Sequence, residues 1–292
     1  MMHEGEIRTD VDQVRRLLAA QFPQWARMPL TPVPASGTDH ALYRIGDDLV
    51  ARLPRIDWAL GQVETDRRWL PVLAPHLPLA VPVPLAFGEP GEGYPWSWSV
   101  VPWLQGENPT DGNVDLEVAA VQLAEFVTAL WSVDTTGGPL KTGRDRGVPL
   151  AARDELTRGA IVELGERVDA ARVSAVWDEA LAADPWGRPP VWVHGDLLPG
   201  NVLVHDRRLS AVIDFGAVGI GDPAADVVPA WTILDAPSRR VFREALGCVE
   251  DMWQRGRGWA LTTALYSLPY YWDTAPHIVA ENLRRIAAIL DD

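Results

Sequence analysis

The sequence predicts an α+β fold of two lobes, a small β-rich N-terminal lobe and a larger, mainly helical C-terminal lobe. The first observation is that short β-like runs are concentrated in the first hundred residues. The second is that apolar residues recur at helical spacing from residue 116 onward. The third is that three short β-like runs return together between residues 191 and 213. These runs predict a small sheet embedded in the helical half.

The composition is that of a folded globular protein. Hydrophobic residues make up 47% of the 292 positions and charged residues 23%, which excludes disordered and collagen-like chains. The sequence has no apolar run long enough for a transmembrane helix. Its first residues lack the apolar stretch of a signal peptide, and the single cysteine, Cys248, permits no intrachain disulfide. We therefore expect a cytoplasmic protein with no membrane partner.

The net charge indicates which kinds of molecule the protein is expected to bind. The chain has 26 basic and 40 acidic residues, for a net charge of −14. This balance opposes the electrostatic attraction that dominates binding to nucleic acid, so we expect no nucleic-acid partner. A cationic or neutral small molecule fits better, although a large net charge is also a common means of keeping a protein in solution. The oligomeric state is left open.

The N-terminal lobe begins with an amphipathic helix. Asp10 is placed to cap this helix and Gln13 to complete a capping-box pair, and the apolar face predicts packing on a sheet. Two β-like runs follow, over residues 41–45 and 48–53. Gly46-Asp47 separates them and predicts a hairpin turn.

A helical stretch over residues 58–73 and a β-like run over 95–104 complete this lobe. We place the N-terminal lobe at residues 1–101, a hinge at 102–108, and the helical C-terminal lobe at 109–292.

The C-terminal lobe is predicted to be helical apart from one loop and three β-like runs. From Leu116 through Trp131 the apolar positions keep to one face, which predicts a buried helix. Residues 137–150 are rich in glycine, proline and charge and predict a loop, and a helical stretch is predicted over 151–183. The β-like runs that follow are 191–193, 201–204 and 209–213.

The segment from Val191 to Asp226 carries the candidate chemistry. A hairpin turning at residues 205–207 joins the run that starts at Asn201 to the run that ends near Asp214. Antiparallel pairing is therefore expected to bring these two side chains to the same edge of the sheet. A carboxylate and an amide are hard oxygen ligands, and Mg²⁺ held by so few protein groups usually shares phosphate oxygens as well. The spacing predicts a site for Mg²⁺ and a nucleotide.

Asp196 lies on the same loop as Asn201 and is left free of this metal site. We expect Asp196 to act as the general base that orients an acceptor hydroxyl and accepts its proton. In phosphoryl transfer the proton moves late, so the position of the carboxylate matters more than its basicity. The sequence lacks a G-x-S-x-G nucleophile motif, which leaves hydrolase chemistry without a nucleophile.

The motif His194-Gly195-Asp196-Leu197 with Asn201, followed by Asp214-Phe215-Gly216, resembles the catalytic loop and metal-binding segment of the protein-kinase superfamily. The His-Gly-Asp form, together with GDPAAD at 221–226, is similar to the aminoglycoside phosphotransferase family. Several fixed residues at fixed spacing make this likeness specific. The resemblance implies a two-lobed protein-kinase-like fold and a small-molecule kinase that uses ATP or GTP as phosphoryl donor.

The resemblance also implies a phosphate-binding role for Arg52. The stretch Val50-Ala51-Arg52-Leu53 occupies the place of the family's lysine motif, so Arg52 would hold the α- and β-phosphates. Its acidic partner is expected on the following helix, where the register favours Asp66 and leaves Glu64 as the alternative. Arginine is longer than lysine and aspartate shorter than glutamate, so the exchange preserves the reach of the pair.

Further nucleotide contacts are implied by position. Gly37 and Thr38 lie where the family's nucleotide-covering loop belongs, and their backbone N–H groups could contact phosphates, with an ordinary turn as the alternative. Pro102 and Leu104 lie where the family's hinge carries adenine, with the carbonyl of the first and the amide of the second as edge contacts.

Three residues near the catalytic loop have implied or ordinary structural roles. His194 resembles the family's catalytic-loop histidine, whose implied role is to brace the loop by hydrogen bonding, with Asp226 as the candidate partner. Asp222 precedes a proline and is placed to cap the helix that follows.

Departures from the protein-kinase pattern indicate the class of acceptor. Leu198 stands where a serine or threonine kinase usually carries lysine, and the Ala-Pro-Glu that closes an activation segment is missing. These departures favour a small hydroxylated acceptor over a protein.

The expected function is ATP- or GTP-dependent O-phosphotransfer, with an aminoglycoside antibiotic as the leading acceptor and antibiotic resistance as the implied role. Macrolides, nucleoside antibiotics, amino alcohols and sugars remain as alternative acceptors. A non-catalytic nucleotide-binding module and a protein kinase are more remote alternatives.

Overall fold

The computed structural model describes residues 6–34, 39–110 and 112–292. In these ranges the helices, numbered in chain order, are α1 (Val11–Gln21), α2 (Leu60–Leu73), α3 (Leu116–Trp131), α4 (Asp154–Leu164), α5 (Ala170–Ala182), α6 (Pro229–Thr232), α7 (Ala236–Ala245), α8 (Glu250–Tyr271) and α9 (Pro276–Leu290). The strands are β1 (Leu30–Pro32), β2 (His40–Ile45), β3 (Leu49–Pro54), β4 (Ala86–Gly88), β5 (Trp98–Pro102), β6 (Val191–Val193), β7 (Val202–His205), β8 (Arg208–Val212) and β9 (Gly219–Gly221).

The chain divides into two compact units. The N-terminal unit comprises Met1–Asn108 together with Val202–His205 and Ser210–Gly216. The C-terminal unit comprises the rest, Pro109–Asn201, Asp206–Leu209 and Ala217–Asp292. The first unit is built on a sheet and the second is mainly helical, which is the α+β composition that the sequence predicts.

The sheet of the N-terminal unit is antiparallel, with strand order β1-β2-β3-β5-β4. The predicted hairpin forms between β2 and β3, and Gly46 takes the positive φ of +59° that its turn requires. Strands β1 and β4 were not predicted, because three residues are too few to show a period of two.

Helix α1 packs on this sheet, as its apolar face predicts. Asp10 caps it by accepting a hydrogen bond from the Gln13 backbone N–H at 2.7 Å. The predicted capping box is wrong in its second half, because the Gln13 side chain donates to the Glu92 carbonyl at 3.2 Å instead. The buried face of α1 that joins the core of the sheet comprises Val14, Leu17 and Leu18.

Helix α8 is the longest of the described helices, and it packs against α4, α5 and α9. A Cβ at Gly258 would lie 2.6 Å from a Leu150 methyl and 2.7 Å from the Ala180 Cβ, so this close packing requires glycine. The helical stretch predicted over 151–183 is divided, because Gly165 ends α4 with φ +53° and Asp169 caps α5. Within the described ranges, every helix falls short of the length or the apolar character that crossing a bilayer demands.

The three β-like runs after residue 190 do not form one sheet, which corrects the prediction. Strand β6 pairs with β9, and β7 pairs with β8. Strand β9 was not predicted, because two of its three residues are glycine. The turn between β7 and β8 carries positive φ at both Asp206 and Arg207, the form that suits the twist of a two-residue hairpin.

Candidate active site

Arg52 of β3 forms a buried ion pair with Asp66 of α2. The Nη1 atom lies 3.0 Å from Oδ2, and both side chains are almost fully buried. Asp66 lies on the inward face of α2 with Val63 and Leu70, which is the register expected from the sequence. Glu64, the alternative partner, is exposed and lies 3.9 Å from Arg67 instead. Asp66, and not Glu64, is therefore the acidic residue of α2 that contacts Arg52.

Arg52 also faces a second carboxylate. Its Nη2 atom lies 3.7 Å from Asp214 Oδ1, and the Asp214 side chain is 42% exposed. Asp214 has φ +61°, a left-handed conformation that non-glycine residues rarely adopt, and its Oδ1 accepts from the Gly216 N–H at 3.4 Å. One guanidinium thus lies between a buried carboxylate and an accessible one.

Burial shifts the pKa values of two side chains in this cluster, Asp66 and His40. Loss of solvent raises the pKa of Asp66 to about 6, although the Arg52 charge acts in the opposite direction. Burial, followed by the Arg52 charge, lowers the pKa of His40 well below its usual range, so the imidazole is neutral at physiological pH. Asp214 is the carboxylate of this cluster that solvent or a ligand can reach, whereas Arg52 is almost fully buried.

Gln62 belongs to this cluster and was not predicted. Its Nε2 donates to Asp39 Oδ2 at 3.3 Å. A Cβ at Gly216 would lie 2.4 Å from Gln62 Cδ, so glycine is needed there for the side chain to fit. Gln62 precedes Asp66 by four residues and therefore shares its helix face, which is the signal that could have indicated it.

In the C-terminal unit, Asp226 braces the catalytic loop. Its fully buried carboxylate accepts hydrogen bonds from the backbone N–H groups of His194 at 2.9 Å and Gly195 at 2.8 Å. The His194 imidazole is also buried, and its Nδ1 accepts from the Asp196 N–H at 3.2 Å. Burial raises the pKa of Asp226 to about 6, whereas the two N–H donors act to lower it.

Asp196 is held at both of its carboxylate oxygens. Asn201 Nδ2 donates to Asp196 Oδ2 at 3.2 Å and to the Asp196 carbonyl at 2.9 Å. Arg146 Nη1 forms an ion pair with Oδ1 and donates to the Gly195 carbonyl at 3.2 Å. The Asp196 side chain is 24% exposed, so it remains accessible to an incoming group.

Asp222 and Asp226 differ from Asp196 in being buried as well as bound. Asp222 caps the turn that follows it by accepting from the Ala224 N–H at 3.0 Å, as expected. It also binds Arg255 through both oxygens, at 2.8 and 3.2 Å, a contact that the sequence did not reveal. Both carboxylates are buried. Asp196 on the catalytic loop and Asp214 of Asp214-Phe215-Gly216 are, in contrast, accessible enough to meet a substrate or a metal.

The predicted metal ligands have the chemistry that Mg²⁺ requires. The Asn201 amide nitrogen is used within its own loop, which leaves the amide oxygen as the atom that could coordinate. Asp214 offers an accessible carboxylate. The described part of the chain contains no cluster of three or more His, Cys, Asp and Glu side chains that could hold a metal ion by themselves. Each residue offers an oxygen ligand of the kind that Mg²⁺ takes in proteins.

The other predicted nucleotide contacts remain predictions. Gly37 and Thr38 lie outside the described residues. Pro102 ends β5 opposite Leu49, and both Pro102 and Leu104 are half-buried.

Two basic residues beside the catalytic loop were not predicted. Arg146 contacts Asp196, and Lys141 Nζ donates to the Ala217 carbonyl. Both lie in the loop at residues 137–150, whose composition indicates a loop but not its contacts. Sequence spacing holds no signal for a contact 50 residues away.

Comparison with known proteins identifies the family. Residues 30–259 match the model of the Phosphotransferase enzyme family, APH. The structure is similar to that of the GDP and kanamycin complex of APH(2")-IIia, with a TM-score of 0.74 and 18% identity, covering 94% of this chain and 97% of that one. It is also similar to macrolide 2'-phosphotransferase MphH from Brachybacterium faecium, with a TM-score of 0.61 and 25% identity, covering 96% of both chains. These structures confirm the predicted fold class.

A curated relative matches over a shorter stretch. The DNA damage-responsive serine/threonine-protein kinase RqkA of Deinococcus radiodurans is 28% identical over an alignment of 148 residues that covers 48% of this chain and 22% of that protein. The chain thus spans about a fifth of the length of this relative. The family model covers most of the present chain, including every residue placed in the two clusters above. The chain belongs to the Phosphotransferase enzyme family.

Proposed function

We propose that this protein transfers the γ-phosphoryl group of ATP or GTP to a hydroxyl of a small molecule. Family membership supports the reaction class. The similar structures of an enzyme with GDP and kanamycin and of a macrolide phosphotransferase support a nucleotide donor and a small acceptor.

The donor is bound by the residues around Arg52. Arg52 holds the α- and β-phosphates, and Asp66 keeps its guanidinium in place through the buried ion pair. Gly37 and Thr38 contact the phosphates through their backbone, and Pro102 and Leu104 contact the base. Asn201 and Asp214 supply oxygen ligands for Mg²⁺, which when bound neutralises charge on the phosphate oxygens.

Asp196 orients the acceptor hydroxyl and accepts its proton. One observation carries this assignment: of the acids between His194 and Asp226, the two buried ones have structural contacts, whereas Asp196 remains accessible at the end of a braced loop. Such a position matches the demand of phosphoryl transfer for a fixed, accessible carboxylate. His194 supports the loop from within the core through its bond to the Asp196 N–H.

An aminoglycoside is the first acceptor class to test, and a macrolide is the second. The net charge of −14 favours a cationic ligand, and the kanamycin complex of a similar structure points the same way. The macrolide class is supported by the 25% identity to MphH. An enzyme acting on either would confer resistance to that antibiotic.

The experiment is a turnover panel of hydroxylated compounds with ATP or GTP and Mg²⁺, read by nucleotide consumption and by the mass of the product. We expect one class to gain a phosphate, and Asp196→Ala to abolish this gain. Asp47→Asn, on the exposed tip of the β2–β3 hairpin, is the control and should match the wild type. Nucleotide binding without turnover on any compound would favour a non-catalytic module, and phosphorylated peptides would favour a protein kinase.

A further inference from the structure

We propose that Arg146 is a positioning residue that fixes the Asp196 carboxylate in the orientation needed for transfer. The inference rests on the proposed function, in which Asp196 accepts the proton of the acceptor hydroxyl. Neither the family motif nor the catalytic loop itself contains this arginine, because it comes from the loop 50 residues earlier.

The two oxygens of the Asp196 carboxylate are bound by two different side chains. Asn201 binds Oδ2 at 3.2 Å, and Arg146 binds Oδ1. With Asn201 alone, the carboxylate could turn about that single hydrogen bond. A second, charge-assisted bond on the other oxygen removes this freedom. The Arg146 Nη1 atom also donates to the Gly195 carbonyl at 3.2 Å, so it ties the side chain to the backbone of its own loop.

Arg146 is itself held by an anchored loop, residues 139–148. The Pro139 carbonyl accepts from the Ile220 N–H at 2.7 Å, and the Lys141 N–H donates back to the Ile220 carbonyl at 2.9 Å. At the other end, the Gly147 carbonyl accepts from the Asp222 N–H at 2.7 Å. The anchored loop is therefore bonded to β9 on one side of Arg146 and, on the other side, to Asp222 directly after β9, so the backbone that carries the arginine is fixed at both ends.

The Lys141 side chain shows how closely the anchored loop fits the catalytic segment. A Cβ at Gly219 would lie 3.0 Å from Lys141 Cε, and a Cβ at Gly221 would lie 3.0 Å from Lys141 Cγ. The two glycines leave space for the lysine stem to lie along β9 and reach the Ala217 carbonyl. This fit keeps the loop, and hence Arg146, in register with Asp196.

The contribution of Arg146 lies in orientation rather than in stability. Both partners of the ion pair are partly exposed, and partly exposed pairs contribute little to the free energy of folding. A small misplacement of a reacting group, in contrast, can lower a rate by about 100-fold. Arg144 provides a comparison within the same loop, because it faces Glu155 at 3.6 Å with both side chains mostly exposed.

The first test compares the kinetics of Arg146→Ala, Arg146→Lys and the control Arg144→Ala. We expect Arg146→Ala to lower kcat by about 10- to 100-fold with an unchanged KM for the nucleotide. Arg146→Lys should recover part of the loss, since an ammonium group can also donate to Oδ1. Arg144→Ala should match the wild type. An equal loss in both alanine variants, or a loss confined to the nucleotide KM, would overturn the proposal.

The second test does not require turnover. In high-resolution crystal structures, Asp196 should occupy one side-chain rotamer in the wild type and in Arg144→Ala, and several in Arg146→Ala. A single retained rotamer in Arg146→Ala would overturn the inference whatever the activity. The two proposals can also be separated. If Asp196 takes several rotamers in Arg146→Ala alone, but the wild type phosphorylates no acceptor, the proposed function fails and the positioning role of Arg146 stands.

Discussion

Solvent access separates the roles of acidic residues that look alike in the sequence. Asp222 and Asp226 are buried and bound to an arginine or to backbone N–H groups. Asp196 and Asp214 keep part of their surface exposed. A buried carboxylate with satisfied hydrogen bonds supports the structure around it, whereas an accessible one can meet a ligand.

The first prediction concerns the division of labour between the two accessible acids. Asp214→Ala should lose Mg²⁺-dependent nucleotide binding, because it removes a metal ligand. Asp196→Asn should bind nucleotide normally and transfer roughly 10²- to 10⁴-fold more slowly, because the amide cannot accept the proton. Titration calorimetry with and without Mg²⁺ measures the first effect, and single-turnover kinetics the second. Equal loss of nucleotide affinity in both variants would contradict these roles.

The second prediction concerns Asp66. Its pKa of about 6 means that the carboxyl gains a proton as the pH falls through 6, and Arg52 then loses its buried partner. Nucleotide affinity of the wild type should therefore fall below pH 6. Asp66→Asn should bind nucleotide weakly at every pH, and any pH dependence that remains belongs to the nucleotide itself.

Glu64→Gln is the matched control for Asp66→Asn, because it alters an exposed acid two residues away on the same helix. It should reproduce the wild-type pH profile of nucleotide affinity. A profile of Asp66→Asn that also follows the wild type would show that the ion pair does not control donor binding.

At the level of elements, two glycines of the N-terminal unit differ in the space that surrounds them. A Cβ at Gly88 of β4 would lie 2.0 Å from the ring of Trp98, which is fully buried in β5. Gly61 lies in the first turn of α2 with open space around it. The first glycine is required by packing, and the second only adds flexibility to a helix.

The third prediction follows from this contrast. Gly88→Ala should destabilise the protein by about 1 to 3 kcal/mol or more, because the indole must move in a close-packed core. Gly61→Ala should stabilise it by about 0.4 to 1 kcal/mol, because alanine restricts the unfolded chain and favours the helix. Urea unfolding monitored by circular dichroism measures both, and a loss of stability in Gly61→Ala would contradict the assignment.

At the level of the whole molecule, two buried carboxyls link stability to pH. Burial raises the pKa of both Asp66 and Asp226 to about 6, so the folded chain binds these protons more tightly than the unfolded chain. Their contribution to stability is fully present below about pH 4 and is lost as the pH rises through 6.

The fourth prediction is a change in the slope of stability against pH. Between about pH 4 and 6, the titration of Asp66 lowers the unfolding free energy of the wild type as the pH rises. Asp66→Asn should show a smaller decrease over this range, since the amide does not titrate. The exposed variant Asp47→Asn should leave the slope unchanged. Chemical unfolding at a series of pH values measures this difference, and parallel curves for the wild type and Asp66→Asn would refute it.

Regular patterns made much of the molecule predictable from the sequence. The β2–β3 hairpin follows from two β-like runs around Gly46, and α1 from its capping residue Asp10 and apolar face. The motif that contains Asp196, Asn201 and Asp214 indicated a phosphotransferase, because residues at this fixed spacing resemble the catalytic loop and metal-binding segment of that family. The helical register on α2 distinguished Asp66 from Glu64 as the residue facing Arg52.

The sequence by itself determined the two-part α+β fold, the family and the residues proposed for catalysis, because these depend on local periodicity and on motifs within a short stretch. Only the tertiary structure decided that Arg146 binds Asp196, that Asp222 binds Arg255, and that β9 pairs with β6. These contacts join residues about 25 to 50 positions apart in the chain. Their partners are selected by packing and burial, which depend on the complete fold and leave no periodic signal in the sequence.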